Sequence, residues 1–363
     1  MDTNKNSSKA YANTGGKKHS KGASAFLGVL FVVLASACYG ITPILSNAAL
    51  RGGFPKDFVE RVFGSGSFTS SLIASPARAV SNETLVALCM GIACIISFLN
   101  ALTGGKKLTV SGKQFFHLST LGGGALAATL LLITYAYLYI PAGMTIVINF
   151  TYPVFVLLAG MLFFKEKGGS SLFTSLLFAI AGIALISSAS FSGKVELIGV
   201  LLALASGVAY AVYFLAGKNS SYASLDSAVS NFYITGAASL LSFTVAVITK
   251  RISIPTDAIM WLLLFLEAAF GYILGLRLLL AGIRILGSAP AAALNTLEPA
   301  FASLTSMLVF GEAMGLLKGA GIALVLLGAL ISILALRASR EKRGRHGLFQ
   351  PCKMHLCKLL HRA

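Results

Sequence analysis

The stretch NFTYPVFVLLAGMLFFKE at residues 149–166 returns 146 residues later as NTLEPAFASLTSMLVFGE at 295–312. The positions that coincide include Asn149 with Asn295, Pro153 with Pro299, Phe155 with Phe301, Met161 with Met307, Phe164 with Phe310, and Glu166 with Glu312. Both copies lie in apolar stretches long enough to cross a bilayer. The direction in which the second points relative to the first therefore decides the fold.

The surrounding composition identifies the solvent as lipid. The chain is 56% hydrophobic and 11% charged, with a mean hydropathy of +0.83, more apolar side chain than a soluble domain can hide. Segments of about 20 apolar residues, the length that spans hydrocarbon, recur near 25–47, 84–103, 116–139, 141–164, 171–189, 195–216, 227–249, 258–283, 286–310 and 315–336. The expected class is an all-α integral membrane protein with ten transmembrane helices.

A net charge of +17 suggests nucleic acid until its distribution is read. The first 23 residues hold five Lys against Asp2, and 337–363 hold eight Lys/Arg against Glu341. Basic ends flanking apolar spans place both termini in the cytoplasm by the positive-inside rule, and an even number of crossings agrees. Residues 1–24 are expected to form a disordered tail and 337–363 a basic one. Lys250–Arg251 and the loop with Arg51, Lys56, Arg61 and Arg78 run against the rule. The partners implied are the lipid bilayer and a small molecule, not nucleic acid, and a homo-oligomer is compatible with the reading.

The 146-residue offset also places Gly182 on Gly328, whereas Gly28 and Tyr39 fall on Gly199 and Tyr210 at an offset of 171. The difference of 25 fits an insertion in the extracytoplasmic loop at about 48–82. Two five-helix repeats follow, 25–189 and 195–336. Five is odd, so successive copies enter from opposite faces and the repeats are inverted. Within the insertion, PKDFVERVF puts Phe58, Val59, Val62 and Phe63 on one helical side, as for a short helix on the outer surface or a packed loop.

The motifs IPAGMTIVINFTYPVFVLLAGMLFFKEK and LGSAPAAALNTLEPAFASLTSMLVFGEA, each followed by a Gly-rich span, resemble the drug/metabolite transporter superfamily, specifically its EamA-type members. The likeness covers roughly 25–336 and omits the tails and most of 48–82. It departs at Tyr152, which stands where the other repeat has Glu298. The resemblance implies a ten-span secondary transporter with a central cavity and alternating access. Members carry amino acids, other metabolites, drugs or nucleotide sugars, so no substrate is implied.

Asn149, Tyr152 and Pro153 share one helix face, as do Asn295, Glu298 and Pro299. Both prolines fall about 18 Å into their spans, near the middle of a ~30 Å core. Each removes a backbone hydrogen bond and frees the carbonyl at Asn149 or Asn295. The cluster is either a hinge and polar binding surface or a kink whose Asn side chains satisfy those carbonyls.

An ionised acid at the bilayer centre costs roughly 2.5–3.5 kcal/mol, so Glu298 must be protonated, paired or facing water. It is a candidate proton carrier or amine-binding group. Arg277 lies at a depth within about 5 Å of it and is a candidate ion partner, unless it snorkels to the interface. Glu267, ten residues before Arg277, either lines the cavity or bonds a neighbouring helix. Glu166 and Glu312 read as helix-end residues, and Trp261 with Tyr135, Tyr137 and Tyr139 as interfacial anchors. The glycines at 122–124, Gly271 and Gly275 read as helix-packing positions.

No metal is expected: Cys352, His355, Cys357 and His361 do not have zinc spacing. No Gly-Lys dipeptide precedes Ser or Thr, so there is no phosphate loop for ATP, and no cofactor is called for. The expected function is a non-enzymatic secondary transporter in the cytoplasmic membrane. It moves a small polar or amphipathic metabolite, outward rather than inward, with Glu298 taking a proton or substrate. Uptake, facilitated transport and a membrane-embedded lipid-modifying enzyme are the rivals.

Overall fold

In the first half, helix α1 (Ser8–Arg51) leads into the short helices α2 (Lys56–Phe63) and α3 (Ser67–Leu72), then α4 (Asn82–Thr103) and α5 (Gly112–Ala136). The broken pair α6 (Ala142–Asn149) and α7 (Tyr152–Phe164) follows, and α8 (Ser170–Ser187) ends the half. The second half holds α9 (Leu197–Asn219), α10 (Ser227–Ile248), α11 (Ala258–Leu286), the broken pair α12 (Ser288–Asn295) and α13 (Glu298–Phe310), and α14 (Leu316–Leu348). These elements belong to a computed structural model that describes residues 8–64, 66–164, 170–188, 195–310 and 315–348.

Among the described residues there is no strand, only an isolated bridge between Phe54 and Ile73. Nine helical stretches there are long and apolar enough to cross a membrane. The expected span at 286–310 is present as two half-helices. Helix α1 begins at Ser8, inside the 1–24 segment expected to be disordered. Glu166, Glu312 and the C-terminal Cys/His group lie outside the described residues.

The polarity of this molecule is that of a protein dissolved in lipid. Leu162, Phe163, Leu240 and Ile248 are exposed, while Ser206, Asn231, Thr235 and Asn295 are fully buried. In hydrocarbon the polar groups have only one another for partners, so they collect inside.

Packing pairs the two halves element by element. The second helices of each, α4 and α10, lie against one another, and so do the fifth, α8 and α14. Helix α1 packs on α11 and α13 of the other half, and α9 packs on α5 and α7 of the first. These contacts have their counterparts on exchange of the halves. The glycine contacts make the direction explicit. Gly182 meets the backbone of Gly321, and Gly328 meets Ser175, whose Oγ donates to the Gly328 carbonyl at 2.7 Å. Residue numbers rise on α8 as they fall on α14, so the pair is antiparallel. Helices α4 and α10 are antiparallel too: Gly91 faces Ser239, and Asn231 Nδ2 donates to Ser97 Oγ at 2.8 Å.

The 48–82 insertion folds over the end of α1. Gly52 turns the chain at φ 74°, where any Cβ would strike the Ser75 carbonyl. Phe54 N–H donates to the Leu72 carbonyl, and Ala74 N–H donates back to that of Phe54, both at 2.8 Å. Phe58 and Val59 of α2 are buried with Leu72 against Ile259, whereas Val62 and Phe63 stay exposed. The apolar side foreseen for this helix is therefore split, half packed and half free.

Three of the cations that strained the positive-inside reading, Lys56, Arg78 and Arg251, are paired locally. Arg78 pairs with Asp257 at 3.7 Å and Lys56 with Glu60 at 3.6 Å. Arg251 pairs at 3.4 Å with the buried Glu83, which also accepts from Tyr135 Oη at 2.8 Å. Tyr135, expected as an interfacial anchor, is thus committed to that ion pair.

Candidate functional site: two broken helices and an acid among tyrosines

Each proline does more than bend its helix. The helix stops at Asn149 and restarts at Tyr152, and stops at Asn295 and restarts at Glu298. Pro153 and Pro299 become the second residues of the new helices, where a missing N–H leaves no bond unmade. The hydroxyls of Thr151 and Thr296 donate to the carbonyls of Ile148 and Ala293, both at 2.7 Å, and absorb two of the acceptors exposed by the breaks. The asparagines have other work. Asn149 Nδ2 donates to Ser206 Oγ at 2.6 Å, and Ser36 Oγ donates to Asn295 Oδ1 at 3.3 Å. Each asparagine is therefore fastened to the first helix of the opposite half.

The two motifs meet directly. Asn295 Nδ2 donates to Tyr152 Oη at 3.1 Å and to Glu298 Oε2 at 3.3 Å, and Tyr152 Oη donates to the Ala292 carbonyl at 3.4 Å. Tyr152 is fully buried, its ring 4.5 Å from that of Tyr210 and 5.2 Å from that of Phe214. Glu298 is only half-buried. Within electrostatic reach of its carboxyl are the hydroxyls of Tyr39, Tyr137, Tyr152, Tyr210 and Tyr272.

The ion pair expected between Arg277 and Glu298 is not made; among the described residues no salt bridge involves Glu298. The charge of Arg277 is felt only weakly, after those of closer groups, at Asp226, the N-cap of α10, whose ion partner is Lys106 at 3.2 Å. Burial pushes the Asp226 carboxyl up, but the Ala228 amide, Lys106 and Arg277 together hold it below the ordinary carboxylate range. The depth argument fixed height but not azimuth. Helix α11 contains a π-helical section, Ala268–Gly275, and each residue such a section adds turns everything beyond it by about 100°. A matching section, Leu118–Gly124, lies in α5. The glycines at 122–124, 271 and 275, foreseen as packing positions, fall within these sections.

Glu267 immediately precedes the π section of α11 and is buried, accepting from Ser46 Oγ at 2.7 Å while its second oxygen has no partner. Of its two foreseen roles, the bond to a neighbouring helix is the one made. Nearby, Asn231 Nδ2 donates to the Tyr272 carbonyl inside that section at 2.9 Å. Trp261 remains exposed. A cavity of about 400 Å³ lies apart from the acid, between Pro43, Asn47 and Arg51 of α1 and Phe54, Phe58 and Arg61 of the insertion.

Sequence reasoning missed Ser36, Ser206, Tyr39 and Tyr210 as site residues. A signal existed for the tyrosines, which are repeat equivalents: Tyr39 stands by Glu298 as Tyr210 stands by Tyr152. Nothing in the sequence marks Arg284. Its guanidinium donates to the Leu225 carbonyl at 2.6 Å and to Ser230 Oγ at 3.0 Å, tying the start of α10 to the end of α11.

Comparison with known proteins agrees with this arrangement. A model of the EamA-like transporter family matches residues 62–188 and again 197–334, one match per half. An uncharacterized transporter of Clostridium kluyveri is 23% identical over 238 residues, 62% of this chain and 75% of the relative. The uncharacterized transporter YvbV of Bacillus subtilis is 39% identical over 74 residues, 20% of this chain and 24% of its own. A solved crystal structure superposes with a TM-score of 0.67 over 87% of this chain and 98% of the other, at 16% identity, a likeness of fold alone.

Proposed function

This chain belongs to the EamA-like transporter family, and from that premise we propose that it is a ten-crossing secondary transporter of two inverted five-helix repeats. It moves a small polar or amphipathic metabolite across the cytoplasmic membrane, outward, with both termini inside. The observation that carries the reading is the meeting of the two broken helices. Asn295 of one half bonds Tyr152 of the other, and a half-buried acid that makes no salt bridge among the described residues stands beside that bond. Half-helices meeting at mid-depth place polar groups and freed backbone where a solute can be held.

The antiparallel pairings of α4 with α10 and of α8 with α14 support inversion. They also suggest what moves: α6–α7 and α12–α13 pivot at Pro153 and Pro299, while the long α8–α14 and α4–α10 contacts slide or hold. Glu298 carries a proton or the solute. Asn149, Tyr152 and Asn295 shape the surface on which the solute sits. Glu267 and Arg277 lie outside that surface and keep supporting roles at the π section and at the Asp226 cap.

The test has two stages. Metabolites are first compared outside cells that lack or overproduce the protein. Candidates are then run in counterflow with purified protein in liposomes, with and without a pH gradient. Saturable exchange above that of empty liposomes is expected, while exchange no faster than theirs for every candidate overturns the reading. Accumulation driven inward in cells would reverse the direction and leave the mechanism standing.

A further inference from the structure

The 48–82 insertion carries four cations, Arg51, Lys56, Arg61 and Arg78. Lys56 pairs with Glu60 and Arg78 with Asp257, whereas Arg51 and Arg61 make no salt bridge among the described residues. Both line the cavity of about 400 Å³ between α1 and the insertion. Pro43, Asn47 and Arg51 recur at every fourth residue and run along one side of α1. Asp57 and Arg61 stand one turn apart on α2, a spacing at which opposite charges ordinarily pair. They do not pair, and each borders the cavity instead. The rings of Phe54 and Phe58, 5.2 Å apart, complete the lining.

Depth decides which anion can reach these guanidiniums. Arg51 is the last residue of the apolar span Ala25–Arg51, so it stands where hydrocarbon gives way to headgroups. The side chains next to the two arginines are apolar and exposed. Leu50 flanks Arg51, and Val62 and Phe63, 52% and 54% exposed, follow Arg61. A soluble anion would engage the arginines and leave these side chains in water. A phospholipid engages both, its headgroup at the cavity and its chains along the apolar rim. Two guanidiniums against the one Asp57 carboxylate leave an excess of positive charge, which a net-anionic headgroup neutralises.

We propose that the cavity between α1 and the insertion is a binding site for an anionic phospholipid with a hydroxylated headgroup. The phosphodiester lies between Arg51 and Arg61, whose planar forks suit its oxygens. Headgroup hydroxyls donate to the Asp57 carboxylate, and the acyl chains pass Leu50, Val62 and Phe63. The insertion then clamps a lipid to the end of α1. This needs only that the chain spans a bilayer, and it stands whether or not Glu298 carries a solute.

Native mass spectrometry of the full-length protein, released from detergent micelles, counts bound lipids as dioleoylphosphatidylglycerol is titrated in. Dioleoylphosphatidylcholine is the zwitterionic control with the same chains, and glycerol 3-phosphate is the anion without chains. The wild type should bind its first phosphatidylglycerol about fivefold or more tightly than phosphatidylcholine, with no binding of glycerol 3-phosphate over the same range. Arg51→Gln combined with Arg61→Gln should weaken that first binding roughly tenfold, and Phe63→Ser about threefold. Lys107→Gln combined with Lys113→Gln, an equal change of charge away from the cavity, should leave it within about twofold. Equal affinity for the two lipids, or an equal loss in the two double variants, overturns the proposal. Glycerol 3-phosphate bound as tightly as the lipid overturns it too, in favour of a site for a soluble anion. The lipid comparison on the wild type depends on no variant folding.

Discussion

The two broken helices are built to one plan but finished differently. In both, an asparagine ends the first half-helix, a proline opens the second, and a serine on the opposite half's first helix holds the asparagine. In the first half the residue before proline is Tyr152, wholly buried and wedged among Tyr210 and Phe214. In the second it is Glu298, half-buried and accepting from the Asn295 amide. One break is filled with packed aromatic surface and the other keeps a half-buried acid. The repeat supplies the scaffold twice, and the difference at one position makes one copy a packed wall and leaves an acid in the other.

The harshest way to break this comparison is to make the copies alike. Tyr152→Glu places a carboxylate where no base and little water can reach it, and should destabilise the protein by about 3–5 kcal/mol. Thermal unfolding in detergent reads this directly, and an unchanged midpoint would mean the two positions are interchangeable. The reciprocal change acts on function. Glu298→Gln removes a charged contact of roughly 1.5–3 kcal/mol, so counterflow should fall about tenfold to a hundredfold with little change in unfolding temperature. Full transport in this variant would deny the acid its role.

Smaller effects sharpen the comparison at the serines. Ser206→Ala breaks the shorter bond and leaves the buried Asn149 amide without its acceptor, which should cost about 1–2 kcal/mol. Ser36→Ala removes only a long bond to the Asn295 oxygen, from a hydroxyl whose single proton lies closer to the Val32 carbonyl, and should cost roughly 0.5 kcal/mol. Parallel denaturation of the two variants gives the order, and a reversed order would mean the second break is the more tightly held. Last, Arg277→Gln should leave transport within about twofold of wild type. A loss as deep as that of Glu298→Gln would restore the ion pair that the structure does not contain.

The places of the breaks were legible because proline acts locally: it lacks an N–H and collides with the carbonyl four residues back. Their completeness was not. Whether a helix kinks or stops depends on what accepts and donates around the gap, here Thr151 and Thr296 and the serines of the other half. Tyr39 and Tyr210 were visible as repeat landmarks, yet their nearness to Glu298 and Tyr152 depends on α1 and α9 crossing into the opposite halves. Arg277 shows the limit most clearly. Rise per residue gave its depth, but the azimuth depends on the π section at Ala268–Gly275, which no periodicity in the sequence announces.

By itself the sequence determined that this chain lives in lipid, that it is helical, that it is doubled, and where its spans fail. Hydrophobic length, repeat offset and proline position are each written along the chain and need no partner to be read. Only the tertiary structure decided which residues share a site: serines and tyrosines from the first helices, an acid without its base, and a tyrosine serving as wall. Those depend on how helices rotate and cross, and rotation is set by contacts between segments that are distant in sequence.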